Sequence, residues 1–204
     1  MTLAFRDLYA VDDAFRGIPL AGRTDACILS DAATAHDVPH DHLVRFPDVY
    51  LQHLIVELDK PGSGKNGIMP GVPQLLDRLA ARDDIYLALL TGNYEAAARL
   101  KLERFDLWRY FACGAFGGDA PDRNGLLPKA VARIAACGGP AILAADAIVI
   151  GDTPLDVAVA IAGGARSIAV ATGNYSVEQL RESGADVVFE DLGDTDAVIA
   201  AILN

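Results

Sequence analysis

From residue 71 to the end of the chain, helical patterns of apolar residues alternate with short apolar runs, and this alternation constrains the fold more than any other feature. Short apolar runs bounded by Gly, Asp or Asn are typical of buried strands. The expected strands cover residues 85–93, 112–118, 147–152, 167–173 and 186–189. Because strands that alternate with helices usually pair in parallel, the sequence predicts an α/β fold with a doubly wound parallel sheet.

The first sixty residues show helical patterns and no strand-like run. Helices are expected over residues 2–11, 24–38 and 42–60. A stretch rich in Gly and Pro follows at residues 61–71 and indicates a linker. We therefore predict two domains, which are an N-terminal helical cap over residues 1–65 and an α/β core over residues 66–204.

Charge and cysteine content narrow the class of partner and the compartment. The net charge of -11 argues against a nucleic-acid partner, since affinity for nucleic acids comes mainly from Lys and Arg that neutralise phosphates. Cys27, Cys113 and Cys137 are scattered and suggest neither a disulfide framework nor a zinc site.

No apolar run approaches the length of a membrane span, and the N-terminal segment lacks the pattern of a signal peptide. We expect no membrane contact and a cytoplasmic location.

Two strand tips carry polar groups, and ligands of open parallel sheets bind at the carboxyl ends of the strands. Thr91, Gly92 and Asn93 follow one strand and offer a hydroxyl, a close backbone approach and an amide to an oxyanion. Helix capping by Thr91 or Asn93 is the alternative, and the local sequence favours it. Asp152 and Asp156 follow a second strand and stand one helical turn apart, so both can face a hard cation such as Mg²⁺. Capping explains only one of these two acids.

Two basic residues precede the strand that leads to Asp152. Arg123 and Lys129 lie just before or within the intervening helix. A cation at this place could neutralise a phosphoryl group or hold an aspartate in position. The alternative for both is a solvated surface position.

The order of these features resembles the haloacid dehalogenase (HAD) superfamily of phosphohydrolases, in the phosphoglycolate-phosphatase-like branch with a helical cap. The resemblance rests on a strand ending in Thr-Gly-Asn, then a basic residue, then a strand followed by GDTPLD. It implies a Mg²⁺-dependent hydrolase of a small phosphate monoester. Thr91 corresponds to the phosphate-binding hydroxyl, with Gly92 and Asn93 beside it. Asp152 corresponds to a metal ligand and Asp156 to a second acid at the metal.

The resemblance also assigns a cation and a cap residue. Arg123 occupies the position that the family usually fills with Lys, and Lys129 is the second choice. In the cap, the segment GIPLAGRTD resembles a segment whose Arg contacts substrate, which nominates Arg23.

The family's first motif, an apolar strand ending in Asp-x-Asp, does not occur in the sequence ahead of the cap helices. Asp7, Asp12 and Asp13 lie in helical or turn segments and are not taken as the nucleophile. We expect this motif to be encoded upstream of Met1, and the chain as given to have no phosphatase activity. The first core strand would then be missing from the sheet, which favours self-association. The alternative is a catalytically dead metal- or phosphate-binding protein, or an interaction protein, on the same fold.

Overall fold

The computed structural model describes residues 1–60 and 67–204. The predicted domain boundary at residues 65 and 66 and most of the predicted linker lie outside these ranges. Within them, no helix is both long and apolar enough to cross a membrane.

The N-terminal region is helical, as the sequence predicts. Its elements are α1 (Thr2–Tyr9), α2 (Asp25–Ala35), a 3-10 helix (His40–Arg45) and α3 (Phe46–Leu58). The hydroxyl oxygen of Thr24 caps α2 by accepting a hydrogen bond from the backbone N of Cys27 at 3.2 Å. Capping of this kind satisfies a backbone donor that the first turn of a helix leaves without a partner.

Aromatic side chains hold the three cap helices together. Phe5 of α1 and Phe46 of α3 are fully buried, with ring centroids 6.2 Å apart. Phe15, from the loop after α1, meets the ring of Phe5 edge-on at 5.5 Å. Each fully buried Phe contributes on the order of 1.5–3 kcal/mol to the stability of this region.

The remainder of the chain alternates between helices and strands. Its helices are α4 (Val72–Ala80), α5 (Glu95–Glu103), α6 (Leu126–Ile134), α7 (Pro154–Gly163), α8 (Val177–Glu182) and α9 (Thr195–Leu203). Its strands are β1 (Leu89–Leu90), β2 (Gly114–Ala115), β3 (Ile148–Gly151), β4 (Arg166–Val170) and β5 (Val187–Phe189). Short 3-10 helices lie at Trp108–Tyr110, Arg123–Gly125, Ala135–Cys137 and Ala144–Asp146.

All strand pairs are parallel, which confirms the predicted fold class. β1 pairs with β2, and β3, β4 and β5 pair in that order. In the described ranges no backbone ladder joins β1 to β3, so the sheet is in two parts. The side chain of Leu90 bridges them, since it packs in the cluster that contains Val149 of β3.

Two features differ from the sequence-based expectations. β1 and β2 are much shorter than the apolar runs at 85–93 and 112–118, because only two residues of each run form ladder pairs. The sequence analysis also did not identify α9. Its Val198 and Ile199 are buried against α4, and Asp194 caps its first turn.

The cysteines are a further difference. Cys113, next to β2, and Cys137, beyond α6, form a disulfide with Cα atoms 5.9 Å apart. The expectation of no disulfide is wrong for this pair, because their spacing in the sequence does not reveal that the two segments meet. Cys27 is free, and its Sγ donates to the backbone oxygen of Pro121 at 2.8 Å.

Candidate functional site

A cleft of about 420 Å³ lies where the loop before α2 meets the carboxyl ends of β1 and β3. The core contributes Thr91, Asn93, Lys101, Arg123 and Asp152 to its walls, among other residues. The cap contributes Gly22, Arg23 and Asp25, among other residues. Most of the predicted site residues therefore meet in one place, although they come from three different strand–helix units.

Thr91 is held by Asn93. The Thr91 hydroxyl oxygen accepts hydrogen bonds from the backbone N of Asn93 at 3.2 Å and from its side-chain Nδ2 at 3.0 Å. The side-chain oxygen of Asn93 in turn accepts from the Nζ of Lys101. The local sequence favoured helix capping, but no side chain caps α5, whose N-cap residue is Tyr94.

Gly92 lies where the cap touches the core. A Cβ atom at this position would overlap the backbone oxygen of Arg23. The backbone N of Asp25 donates to the Gly92 oxygen at 2.6 Å. Only a residue without a side chain allows the cap loop to approach the Thr-Gly-Asn turn this closely.

Arg123 connects the cap loop to Asp156. Its Nη1 donates to the backbone oxygen of Gly22 at 2.8 Å, and its Nη2 forms an ion pair with Asp156. The side chain is 14% exposed, and its buried Nε finds no hydrogen-bond acceptor in the described residues. A buried donor without an acceptor is uncommon in proteins.

Lys129 lies elsewhere. It is exposed on α6 and does not line the cleft. Its charge helps to lower the pKa of Asp119, although the hydrogen bonds from Arg133 are the main cause of that shift. Of the two basic residues that the sequence nominates, Arg123 is the one at the cleft.

Asp156 forms a capping box at the start of α7. Its Oδ2 accepts from the backbone N of Thr153 at 3.0 Å and from the Thr153 hydroxyl at 2.8 Å, while Oδ1 faces Arg123. The N-cap residue is Thr153, so Asp156 is the acid that helix capping explains. Both oxygens of Asp156 are therefore engaged by protein donors.

Asp152 borders two cavities, the 420 Å³ cleft and a neighbouring cavity of about 490 Å³. A Cβ atom on Gly173 would lie 2.5 Å from Asp152 Oδ2, so a glycine leaves room for this carboxylate. The described residues contain no cluster of three or more His, Cys, Asp or Glu arranged for a metal. Mg²⁺ is commonly held by one or two carboxylates together with waters and a phosphate, so Asp152 fits such an ion. The prediction that Asp156 is also a ligand stays a prediction.

Arg23 lines the cleft from the cap side. Its Nη1 forms an ion pair with Asp31 at 2.7 Å and donates to the backbone oxygen of Pro19 at 3.3 Å. The side chain is about one quarter exposed.

Two further charged residues, Asp25 and Lys101, line the cleft and were not among the expected site residues. Asp25 is buried, and its carboxylate accepts from the backbone N of Tyr94 at 2.9 Å. Burial raises the pKa of Asp25, while the Tyr94 hydrogen bond and the charge of Lys101 oppose this shift. Burial likewise lowers the pKa of Lys101, against the opposing charge of Asp25. A single Lys in a helix gives no sequence signal, and an Asp at the start of a helix is explained by its local preference for that position.

Comparison with known proteins supports the fold, and over one segment it supports the resemblance seen in the sequence. Residues 124–195 match a family model described as HAD-hydrolase-like, and this segment contains both acids of the GDTPLD motif. A search of curated proteins finds no match.

Solved structures of the same fold cover nearly the whole chain. A predicted phosphoglycolate phosphatase from Haemophilus somnus has a TM-score of 0.64 and 16% identity, covering 97% of this chain and 88% of the other. A hydrolase from Pseudomonas syringae has a TM-score of 0.62 and 20% identity, with coverages of 98% and 90%. A haloacid dehalogenase-like protein of unknown function from Agrobacterium tumefaciens has a TM-score of 0.57 and 19% identity, with coverages of 100% and 89%. These structures confirm the fold over the whole chain, and the family model supports the resemblance to HAD-like hydrolases over residues 124–195.

Proposed function

We propose that this chain provides the phosphate- and metal-binding part of a Mg²⁺-dependent phosphohydrolase that acts on a small phosphorylated metabolite in the cytoplasm. The observation that carries the proposal is that Thr91, Arg123 and Asp152 line one cleft at the carboxyl ends of β1 and β3. A hydroxyl, a guanidinium and a carboxylate around one small cavity suit a phosphate monoester together with a divalent cation. The volume of about 420 Å³ suits a small substrate.

Each residue has a role in this proposal. The Thr91 hydroxyl and the turn at Gly92 and Asn93 bind phosphate oxygens. Arg123 holds Asp156 and the cap loop in place, and its guanidinium adds positive charge at the wall of the cleft. Asp152 would hold Mg²⁺, which supplies charge neutralisation to the phosphoryl group when bound.

The same proposal retains the cap over residues 1–65 and the core over residues 66–204, with substrate held between them. Arg23, at the cap wall of the cleft, would contact an anionic group of the substrate away from the reacting phosphate. Lys129 is left without a role in the cleft, because it is exposed on α6.

The 204 residues supply no nucleophile in this proposal. A cleft carboxylate that attacks phosphorus would need to be unencumbered, but Asp25 accepts a hydrogen bond from Tyr94 and faces Lys101. We propose that an additional strand carrying Asp-x-Asp fits the break between β1 and β3, and that the chain as given does not turn over substrate. Self-association through the same break is expected when that strand is not supplied.

The test compares the 204-residue chain with a version extended upstream through an apolar strand and Asp-x-Asp. Hydrolysis of p-nitrophenyl phosphate is measured with and without Mg²⁺, and melting temperature and sedimentation are measured in parallel. We expect turnover, a higher melting temperature and a monomer for the extended version only. Asp152→Asn in the extended version should abolish the Mg²⁺-dependent rate. Rapid turnover by the short chain would contradict the proposal.

The second candidate is a binding or interaction protein without catalysis. It is favoured by the unjoined edges of β1 and β3 and by the ion pair that engages Asp156 with Arg123. Absence of turnover in the extended version, combined with stable oligomers of the 204-residue chain, would favour this candidate over the hydrolase.

A further inference from the structure

Lys101 forms a chain of contacts with the phosphate-binding turn. It lies on α5, and its Nζ donates to the side-chain oxygen of Asn93, whose Nδ2 donates to the Thr91 hydroxyl oxygen at 3.0 Å. An ammonium group has donors and no acceptor, so the atom of Asn93 that faces Lys101 must be the oxygen. The amide nitrogen is thereby directed at Thr91.

The orientation of the Asn93 amide determines whether the Thr91 hydroxyl can donate a hydrogen bond into the cleft. A hydroxyl has two acceptor positions and one hydrogen. Both acceptor positions are filled, by the backbone N of Asn93 at 3.2 Å and by its Nδ2. In residues 1–60 and 67–204, no protein acceptor takes the hydroxyl hydrogen, and Thr91 lines the cleft.

We infer that Lys101 is a positioning residue, which fixes the Asn93 amide and thereby makes Thr91 a hydrogen-bond donor to an anion in the cleft. The inference deepens the proposed function and rests on its assignment of Thr91 to phosphate. If the amide turned over, its oxygen would face the Thr91 hydroxyl and accept that hydrogen, and the cleft would lose a donor. The positive charge of Lys101 disfavours this arrangement because the amide NH₂ would then point at an ammonium.

Lys101 is partly buried, and it lines the same cleft as the buried Asp25. Desolvation lowers the pKa of Lys101, and the charge of Asp25 opposes this shift. Asp25 also accepts from the backbone N of Tyr94, the residue after Asn93. The cap residue Asp25 therefore supports both the charge of Lys101 and the turn that Lys101 orders.

The first test observes the side-chain amide of Asn93 directly, with no phosphate added. In NMR spectra of the 204-residue chain, Lys101→Met should shift the side-chain NH₂ resonances of Asn93 and speed their exchange. Lys101→Arg should restore them in part, and the exposed Lys60→Met should leave them unchanged. Unchanged Asn93 resonances in Lys101→Met would overturn the inference. If Lys101→Met does not fold, Thr91→Val provides the test, because it should remove the protection of one Nδ2 proton. Equal, fast exchange of both protons in the unmodified chain would overturn the inference as well.

The second test separates positioning from direct binding. Inorganic phosphate is titrated calorimetrically into the unmodified chain, Thr91→Val, Lys101→Met and the double variant. We expect each single variant to weaken binding about tenfold and the double variant to lose little more, since both act through one hydroxyl. Losses that multiply would show that Lys101 contacts phosphate itself and would overturn the inference. Unchanged affinity in Thr91→Val would instead overturn the proposed role of Thr91, and the Asn93 resonances would still decide the role of Lys101.

Discussion

The cap and the α/β core bury their apolar residues differently. In the cap, one continuous cluster joins Phe5, Phe15 and Phe46 and extends to Ala97 of α5 in the core. In the described part of the core, the buried residues form separate clusters, such as those around Leu75, Ala115, Val149 and Ala169. A continuous cluster makes a region cooperative, whereas the core depends on whatever joins its two sheet parts. An added strand between the two sheet parts would therefore matter most for the core.

Removal of an aromatic ring from the cap cluster should give the largest loss of stability. Phe46→Ala should cost about 3–5 kcal/mol because it leaves a large cavity in a fully buried site. Urea unfolding of this variant is measured by far-UV circular dichroism and by the fluorescence of Trp108, which stacks on Phe116 in the core. The transition seen by circular dichroism should begin at a lower urea concentration than the transition seen by fluorescence. Coincident transitions in Phe46→Ala would show that the two regions unfold as one unit.

Arg123→Met tests the contact that joins the two regions. The variant should lose about 3 kcal/mol, because Asp156 would keep a buried charge without its partner. The double variant with Asp156→Asn should recover part of this loss. Arg109→Met is the matched control, since its ion pairs are exposed and should contribute less than about 1 kcal/mol. Equal losses in the two arginine variants would mean that the Arg123 pair is not a structural link.

Asp25→Asn should separate the effect of burial from that of charge pairing at the cap–core contact. Burial raises the pKa of Asp25 in the folded state above its unfolded value of 3.8, so its contribution to stability is lost as pH rises through the folded pKa. Relative to the unmodified chain, Asp25→Asn should therefore gain stability as pH increases from 4 to 7. Urea unfolding at each pH measures this difference, in which the other carboxylates cancel. A falling difference would show that pairing with Lys101 outweighs burial.

The smallest effect is expected for Mg²⁺ binding. Affinity should be weak, because Asp152 borders the cavities while both oxygens of Asp156 are engaged by protein donors. Calorimetry should show that Asp152→Asn weakens binding further, with Asp83→Asn as an exposed control. Unchanged affinity in Asp152→Asn would remove this residue from the metal assignment.

The sequence by itself determined the fold class and the main polar turns of the cleft. Periodic spacing of apolar residues is a local property, so it indicated the three cap helices and the alternating core before any contact was known. The segments around Thr91 and Asp152 were identified for the same reason, because a strand tip followed by polar residues can be recognised within a few positions. The capping signal of α9, centred on Asp194, is also local to a few residues of the sequence.

Only the tertiary structure decided which groups meet. The partners Arg123 and Asp156 are 33 residues apart, and Cys113 and Cys137 are 24 apart, so no short pattern contains either pair. Nothing in the sequence of α5 distinguishes Lys101 from other helical lysines. The structure places it beside Asn93, to which it donates a hydrogen bond, and near the charge of Asp25. The break between β1 and β3 also could not be read from the sequence, because strand pairing depends on backbone hydrogen bonds between segments that are distant along the chain.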